Sequence, residues 1–229
     1  MSAGRNGIAV PTGTRELVVF DLDGTLVDGY AAIADALAFA MQRLGEEPIP
    51  FDRVRSMVGH GLDRLLEDAV GAARAAEGVR LFRERYADVA VSHTHLLPGA
   101  ASTVAVLAAA GHTMAVASNK PARFSRQILE ANGLAAAFAE IAGPDAETPP
   151  KPDPAMLRRM VADAGETPGT TVVVGDMEVD YEFARAAGCR VVLIPSGSRT
   201  REELSGLTPD GFLASISELP DWLKKRASA

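Results

Sequence analysis

Leu17-Val18-Val19-Phe20-Asp21-Leu22-Asp23-Gly24-Thr25 is the stretch on which the reading of this chain turns. Four consecutive apolar, mostly β-favouring residues predict a strand buried on both faces. Two carboxylates, two residues apart, follow at its C-terminal end. In an open parallel sheet ligands bind outside that edge. An acid pair placed there repels itself and calls for a cation, a proton, or both. Gly24 permits a sharp turn, and the Thr25 hydroxyl can hydrogen-bond what the turn presents. A strand that merely ends in an Asp-Gly turn explains Asp23-Gly24. It does not explain the whole string beside three later segments of the same kind.

Downstream, Ile33, Leu37, Ala40, Met41 and Leu44 recur at helical spacing, with Gly45 as the stop. Two or three more helices fit between Asp52 and Val91, and no strand pattern interrupts them. After Pro98-Gly99 the rhythm becomes helix, strand, helix, strand. The spacing predicts helices over about 100–110, 123–131, 154–164, 179–187 and 219–226. It predicts strands over 113–117, 139–142, 171–174, 191–194 and a short edge strand over 211–214. Asp153 is expected as an N-cap with Pro154 at the first helical position. The alternation implies an α/β fold: a doubly wound parallel sheet with an inserted all-helical cap. The expected division is a loose tail over 1–14, a core over 15–28 and 98–229, and a cap over 29–97. An insertion directly after the first strand lies above the C-terminal sheet edge, where it can act as a lid.

Composition narrows the function. Apolar residues make up 47% of the 229 residues, which excludes a disordered chain. A net charge of −7 argues against a nucleic-acid binder, which needs a basic footprint. Arg far outnumbers Lys, so Lys120 and Lys151, each beside a turn signal, stand out. Cys189 is the only cysteine and reads as a small buried hydrophobe. No signal-peptide core or membrane span is evident, so a cytoplasmic protein without membrane partners is expected. A monomer and a homodimer both remain open.

Four segments end buried strands or follow them: Asp21 to Thr25, Ser118-Asn119-Lys120, Lys151-Pro152, and Gly175-Asp176 with Asp180. A parallel sheet brings such ends to one edge. Four carboxylates there, from Asp21, Asp23, Asp176 and Asp180, suit Mg²⁺, a hard ion that commonly shares a phosphate with the protein. The Ser118 hydroxyl and the Lys151 ammonium complete a setting for a transferring phosphoryl group. One carboxylate of the Asp pair can attack phosphorus. The other can protonate the leaving oxygen and later take a proton from water.

Asp21-Leu22-Asp23-Gly24-Thr25-Leu26-Val27-Asp28 resembles the first motif of the haloacid dehalogenase superfamily. Ser118-Asn119, Lys151-Pro152 and Gly175-Asp176-x-x-x-Asp180 resemble its second, third and fourth, in the same order. The likeness spans roughly residues 16–216. It implies that Asp21 is the nucleophile and Asp23 the acid/base. It implies Mg²⁺ held by Asp21, the Asp23 main-chain carbonyl and Asp176, with Asp180 ordering their surroundings. Ser118, Asn119, Lys151 and Thr25 would then bind phosphate. The helical insertion, with Met57-Val58-Gly59-x-Gly61-Leu62 and Leu97-Pro98-Gly99, is similar to the cap of the phosphoglycolate phosphatase-like branch. Gly29, Met177 and His60 depart from the branch's usual residues.

The resemblance implies a Mg²⁺-dependent phosphatase of a small phosphorylated metabolite, with 2-phosphoglycolate as first substrate. A sugar phosphomutase shares the same core, and a non-catalytic phosphate-binding domain would show eroded acids. A dehalogenase or phosphonatase does not need Asp23. In the cap, His60 and Arg64 are expected on one helical face as substrate contacts. Lys120 reads equally well as a surface charge. His93 and His95 lack the further ligands of a zinc site.

Overall fold

The computed structural model describes residues 15–145 and 147–227; the expected 1–14 tail lies outside the described residues. The quoted apolar run forms β1 (Leu17–Phe20). It sits inside a six-stranded sheet with β4 (Thr113–Ala117), β5 (Glu140–Ala142), β6 (Thr171–Gly175), β7 (Arg190–Leu193) and β8 (Gly211–Phe212). The order is β5-β4-β1-β6-β7-β8, and every pairing is parallel.

The strands read as unbroken apolar runs because both faces are covered. Val18, Phe20, Val172, Val174 and Val192 join one core, against α5 (Ala100–Ala109), α6 (Ala122–Ala131) and α9 (Leu219–Ala227). Leu17, Val19, Val173, Val191 and Leu193 alternate into the opposite core, against α7 (Ala155–Asp163) and α8 (Glu178–Ala186). Phe20 is fully buried and meets Phe138 edge-to-face at 6.2 Å. Phe20→Ala is expected to cost about 3–5 kcal/mol, measured by urea denaturation; a loss below about 1 kcal/mol would contradict this packing.

The helical insertion contains α1 (Tyr30–Arg43), α2 (Phe51–Met57), α3 (Leu62–Val70) and α4 (Ala72–Val89). Its helices bury Ile33, Leu37, Leu66, Phe82 and others in a third cluster, which Phe124 of α6 also enters. Tyr86 meets Phe124 edge-to-face at 5.0 Å and stacks on Phe82 at 5.3 Å, so an aromatic joint ties α4 to α6. The chain enters and leaves through an antiparallel pair, β2 (Val27–Asp28) with β3 (His95–Leu96). Two-residue strands carry no readable periodicity, and sequence reasoning missed them.

Other boundaries shift by small steps. Helix α7 begins at Ala155 rather than Pro154, yet the Asp153 carboxylate still accepts the Ala155 N–H at 2.9 Å. The edge strand is half its expected length. Among the described residues, no helix is long and apolar enough to cross a membrane.

Candidate active site

Residues that follow the C-terminal ends of β1, β4 and β6, with Lys151 from the segment after β5, line one cavity. Asp21 continues the ladder past β1, its N–H bonding Val174 O at 2.8 Å. Its carboxylate faces Lys151, whose Nζ lies 2.7 Å from Asp21 Oδ1 and 2.7 Å from Asp180 Oδ1. The other Asp180 oxygen accepts the N–H groups of Asp176 and Met177, each at 3.2 Å. Asp180 thus pins the turn between β6 and α8 and holds the lysine in place. One carboxylate oxygen each from Asp21, Asp176 and Asp180 lie within 4.8 Å of one another.

The turn after β1 is shaped around Asp176. Gly24 has φ +87°, and a Cβ there would stand 2.5 Å from Asp176 Oδ2. No other residue takes that conformation in that space without strain. Ser196 donates its hydroxyl to Gly24 O at 2.6 Å, and the Ser198 N–H reaches Asp176 Oδ2 at 3.2 Å. The Ser196 to Arg199 loop after β7 is a part of the site that sequence reasoning missed. Its signal was available: a Gly-containing turn at the end of an apolar strand.

Electrostatics set the chemistry. Asp176 is fully buried and held well above the usual carboxylate range, first by desolvation, then by the charges of Asp21 and Asp180. Its hydrogen bonds come from neutral donors, the Ser198 N–H and the Thr25 hydroxyl. Asp180 is pushed up to about 6 by burial, which the Lys151 charge only partly offsets. Burial alone would lower the Lys151 pKa; Asp180 and then Asp21 outweigh it, and the ammonium ends above its ordinary value. Three clustered acids share one lysine. That surplus of negative charge, on oxygen donors alone, fits a hard divalent cation.

Asp23 stands on the other side. Its two oxygens lie 2.8 and 2.7 Å from the Lys120 ammonium. Burial raises the Asp23 pKa against the pull of Lys120. A Cβ at residue 29 would collide with Asp23 Oδ1, so Gly29, unusual for its place, leaves room for this carboxylate. Lys120 also sits over the Tyr86 ring, 5.2 Å from its centroid. The surface-charge reading of Lys120 is therefore corrected: it is buried, because an acid from the β1 turn and an aromatic from α4 converge on it.

The remaining expected residues divide. Ser118 is buried at the cavity wall, and its Oγ accepts the Lys120 N–H at 3.3 Å, which leaves its own proton to donate. Asn119 also lines the cavity, but its side chain is engaged elsewhere. It donates to Gly59 O and Lys151 O and accepts the Lys151 N–H at 2.9, 3.1 and 2.7 Å. It is a clamp between the second motif, the third motif and the insertion. Thr25 is turned to Asp176 Oδ1 at 3.5 Å and does not line the cavity.

His60 and Arg64 do not share a helical face, because α3 begins only at Leu62, after Gly61. His60 is half-exposed, 3.8 Å from Glu178, and Arg64 pairs on the surface with Asp68. The insertion instead presents Tyr30, Leu62, Leu65, Phe82, Arg83 and Tyr86 to the cavity. Further bonds close it onto the sheet edge. Arg55 donates to Gly197 O at 2.7 Å, and Arg199 to Ser56 O at 3.3 Å.

Known proteins resemble this chain in sequence and fold. Residues 18–194 match the family model described as haloacid dehalogenase-like hydrolase. The chain is 34% identical over 214 residues to a phosphoglycolate phosphatase of Vibrio parahaemolyticus, covering 89% of this chain and 94% of that protein. It is 36% identical over 214 residues to a phosphoglycolate phosphatase of Cereibacter sphaeroides, covering 90% and 97%. The crystal structure of a predicted phosphoglycolate phosphatase from Haemophilus somnus superposes with a TM-score of 0.84 at 28% identity, over 91% of this chain and 97% of that one. With four motifs in order on the edge of a parallel sheet, beneath an inserted helical segment, the chain belongs to the haloacid dehalogenase-like hydrolase family, in its phosphoglycolate phosphatase-like branch.

Proposed function

We propose that this chain is a Mg²⁺-dependent phosphatase that hydrolyses a small phosphate monoester, 2-phosphoglycolate first, through a phosphoryl group carried on Asp21. The observation that carries the reading is the Asp21 carboxylate at the mouth of β1, held by buried Lys151 beside the Asp176–Asp180 acids. Among the described residues Lys151 is the one donor to that carboxylate, so an oxygen remains for attack on phosphorus. Relatives named phosphoglycolate phosphatase, matched over nearly their whole length, support the substrate class.

Substrate phosphate sits against Lys151 and Ser118. Asp21 attacks phosphorus, and the bond to the leaving oxygen breaks as Asp23 gives that oxygen a proton. Water then attacks phosphorus, Asp23 takes its proton back, and the bond to Asp21 breaks. The products are the alcohol and inorganic phosphate. Lys120 holds the Asp23 carboxylate on the leaving-group side of the cavity. Asp180 keeps Lys151 against Asp21. A divalent cation held by Asp21, the Asp23 carbonyl and Asp176 would neutralise charge on the phosphoryl oxygens. The helical insertion serves as the lid that keeps bulk water from the carboxylates.

The test is phosphate release from a panel of phosphate monoesters, with and without EDTA. Activity on 2-phosphoglycolate that EDTA abolishes and Mg²⁺ restores supports the reading; full turnover in metal-free buffer sinks its metal part. Stability gives an independent check. In EDTA the folded acids bind more protons than the unfolded chain as pH rises above the ordinary value of 3.8, since Asp180 is held at about 6 and Asp176 is also raised. The stability contributed by these two acids is therefore fully present below that ordinary value and is lost as pH climbs through their folded pKa values. Mg²⁺ at about 100 times its Kd should add ~2.7 kcal/mol, and more at pH 7 than at pH 5. An increment independent of pH would place the cation away from these acids.

A further inference from the structure

The cavity wall formed by the insertion carries polar groups for which phosphate transfer has no use. Four arginines lie on α4. Arg74 pairs with Glu46, Arg80 with Glu77 and Glu84, and Arg85 with Asp35. Arg83 alone of the four makes no ion pair among the described residues, and it lines the cavity. Tyr86 is one helical turn further along the same face. Its side chain lines the same cavity, and its buried hydroxyl lies beside the Lys120 ammonium. With Lys120 beside its oxygen, the phenol keeps its own proton to give to a ligand atom. Lys120 sits over the Tyr86 ring, its charge already paired with Asp23, so Arg83 supplies the unpaired charge of that wall. Around these groups the wall is apolar, from Ile33, Leu62, Leu65, Phe82 and Phe124. An unpaired guanidinium and a phenol with a proton to give, in an otherwise apolar wall, form a receptor for a small anion.

We infer that Arg83, with Tyr86, recognises a carboxylate on the leaving group of the substrate, and that Arg83 is the specificity-determining residue. The inference rests on the phosphatase reading above, because it places the phosphoryl end at Asp21, Ser118 and Lys151. The ester's other end then meets the α4 wall. A guanidinium binds a carboxylate through two parallel N–H bonds, which an ester ending in a methyl group cannot accept. Selection therefore acts on short phosphate esters of hydroxy acids against those of plain alcohols.

The experiment compares kcat/KM for 2-phosphoglycolate and for ethyl phosphate, which has the same length without the carboxylate. It uses the full chain with Mg²⁺, as wild type, Arg83→Met, Arg83→Lys and Tyr86→Phe. The wild type should prefer 2-phosphoglycolate. Arg83→Met should collapse that ratio by about 10–100-fold, mostly through KM. Arg83→Lys should restore part of it, because the charge returns without the planar fork, and Tyr86→Phe should lower the ratio several-fold. A ratio unchanged by Arg83→Met overturns the inference, as does an equal fall on both esters. If the wild type hydrolyses both esters without preference, the carboxylate site is refuted and the phosphatase reading stands. If it hydrolyses no phosphate ester at all, the phosphatase reading itself has failed.

Discussion

Asp21→Asn should lower turnover of any phosphate ester by at least ~10⁴-fold while the protein stays folded. The amide keeps the shape of the carboxylate but not its charge or its nucleophilic oxygen. Lys151 would still be paired through Asp180, so no buried ammonium is stranded. The neutral side chain also removes one of the charges that burden Asp176. Folding is checked by circular dichroism and denaturation, and activity by phosphate release. Turnover within tenfold of the wild type, in a folded variant, would mean that phosphorus never bonds to this residue.

Asp23→Asn should separate the two half-reactions. With an alkyl ester, both expulsion of the alkoxide and attack by water need the proton relay, and kcat should fall by about 10²–10⁴-fold. With p-nitrophenyl phosphate the leaving group departs without an acid. The first step then survives, the second does not, and phosphoenzyme accumulates. Mass spectrometry of the quenched variant should find the phosphoryl group on Asp21. One consequence needs a control. Asp23 is the ion-pair partner of buried Lys120, and removing one member of such a pair can cost about 3–5 kcal/mol. The double variant Asp23→Asn/Lys120→Met removes both charges and should regain part of that stability. A single variant that turns over both esters normally would take Asp23 out of the reaction.

The parts of the site legible in the sequence are those that local pattern specifies. Asp21, Ser118 and Asp176 each follow a buried strand, and all parallel strands deliver their ends to the same edge. Lys151 was legible from its place before a capped helix. Side-chain direction was not legible. Thr25 and Asn119 carry the right chemistry in the right loops, yet one turns to Asp176 and the other ties Lys151 to Gly59. Both choices depend on which backbone groups arrive from distant segments. Lys120 looked like any lysine beside a turn until Asp23 and Tyr86 closed around it. His60 and Arg64 do not share the helical face that their spacing suggested, because α3 begins only after Gly61. Arg83 gave no signal, since an arginine on an amphipathic helix usually belongs to solvent.

From its sequence alone this chain determines a parallel α/β core, an inserted helical segment, and an acid-rich edge suited to phosphoryl chemistry. Those follow from hydrophobic periodicity and from residues adjacent along the backbone. Which cations serve which acids, and what the cavity accepts beyond phosphate, were decided only by the tertiary structure. Charges in water act weakly and singly; packing brings groups from separate segments into a dry space where each one's partner fixes its role.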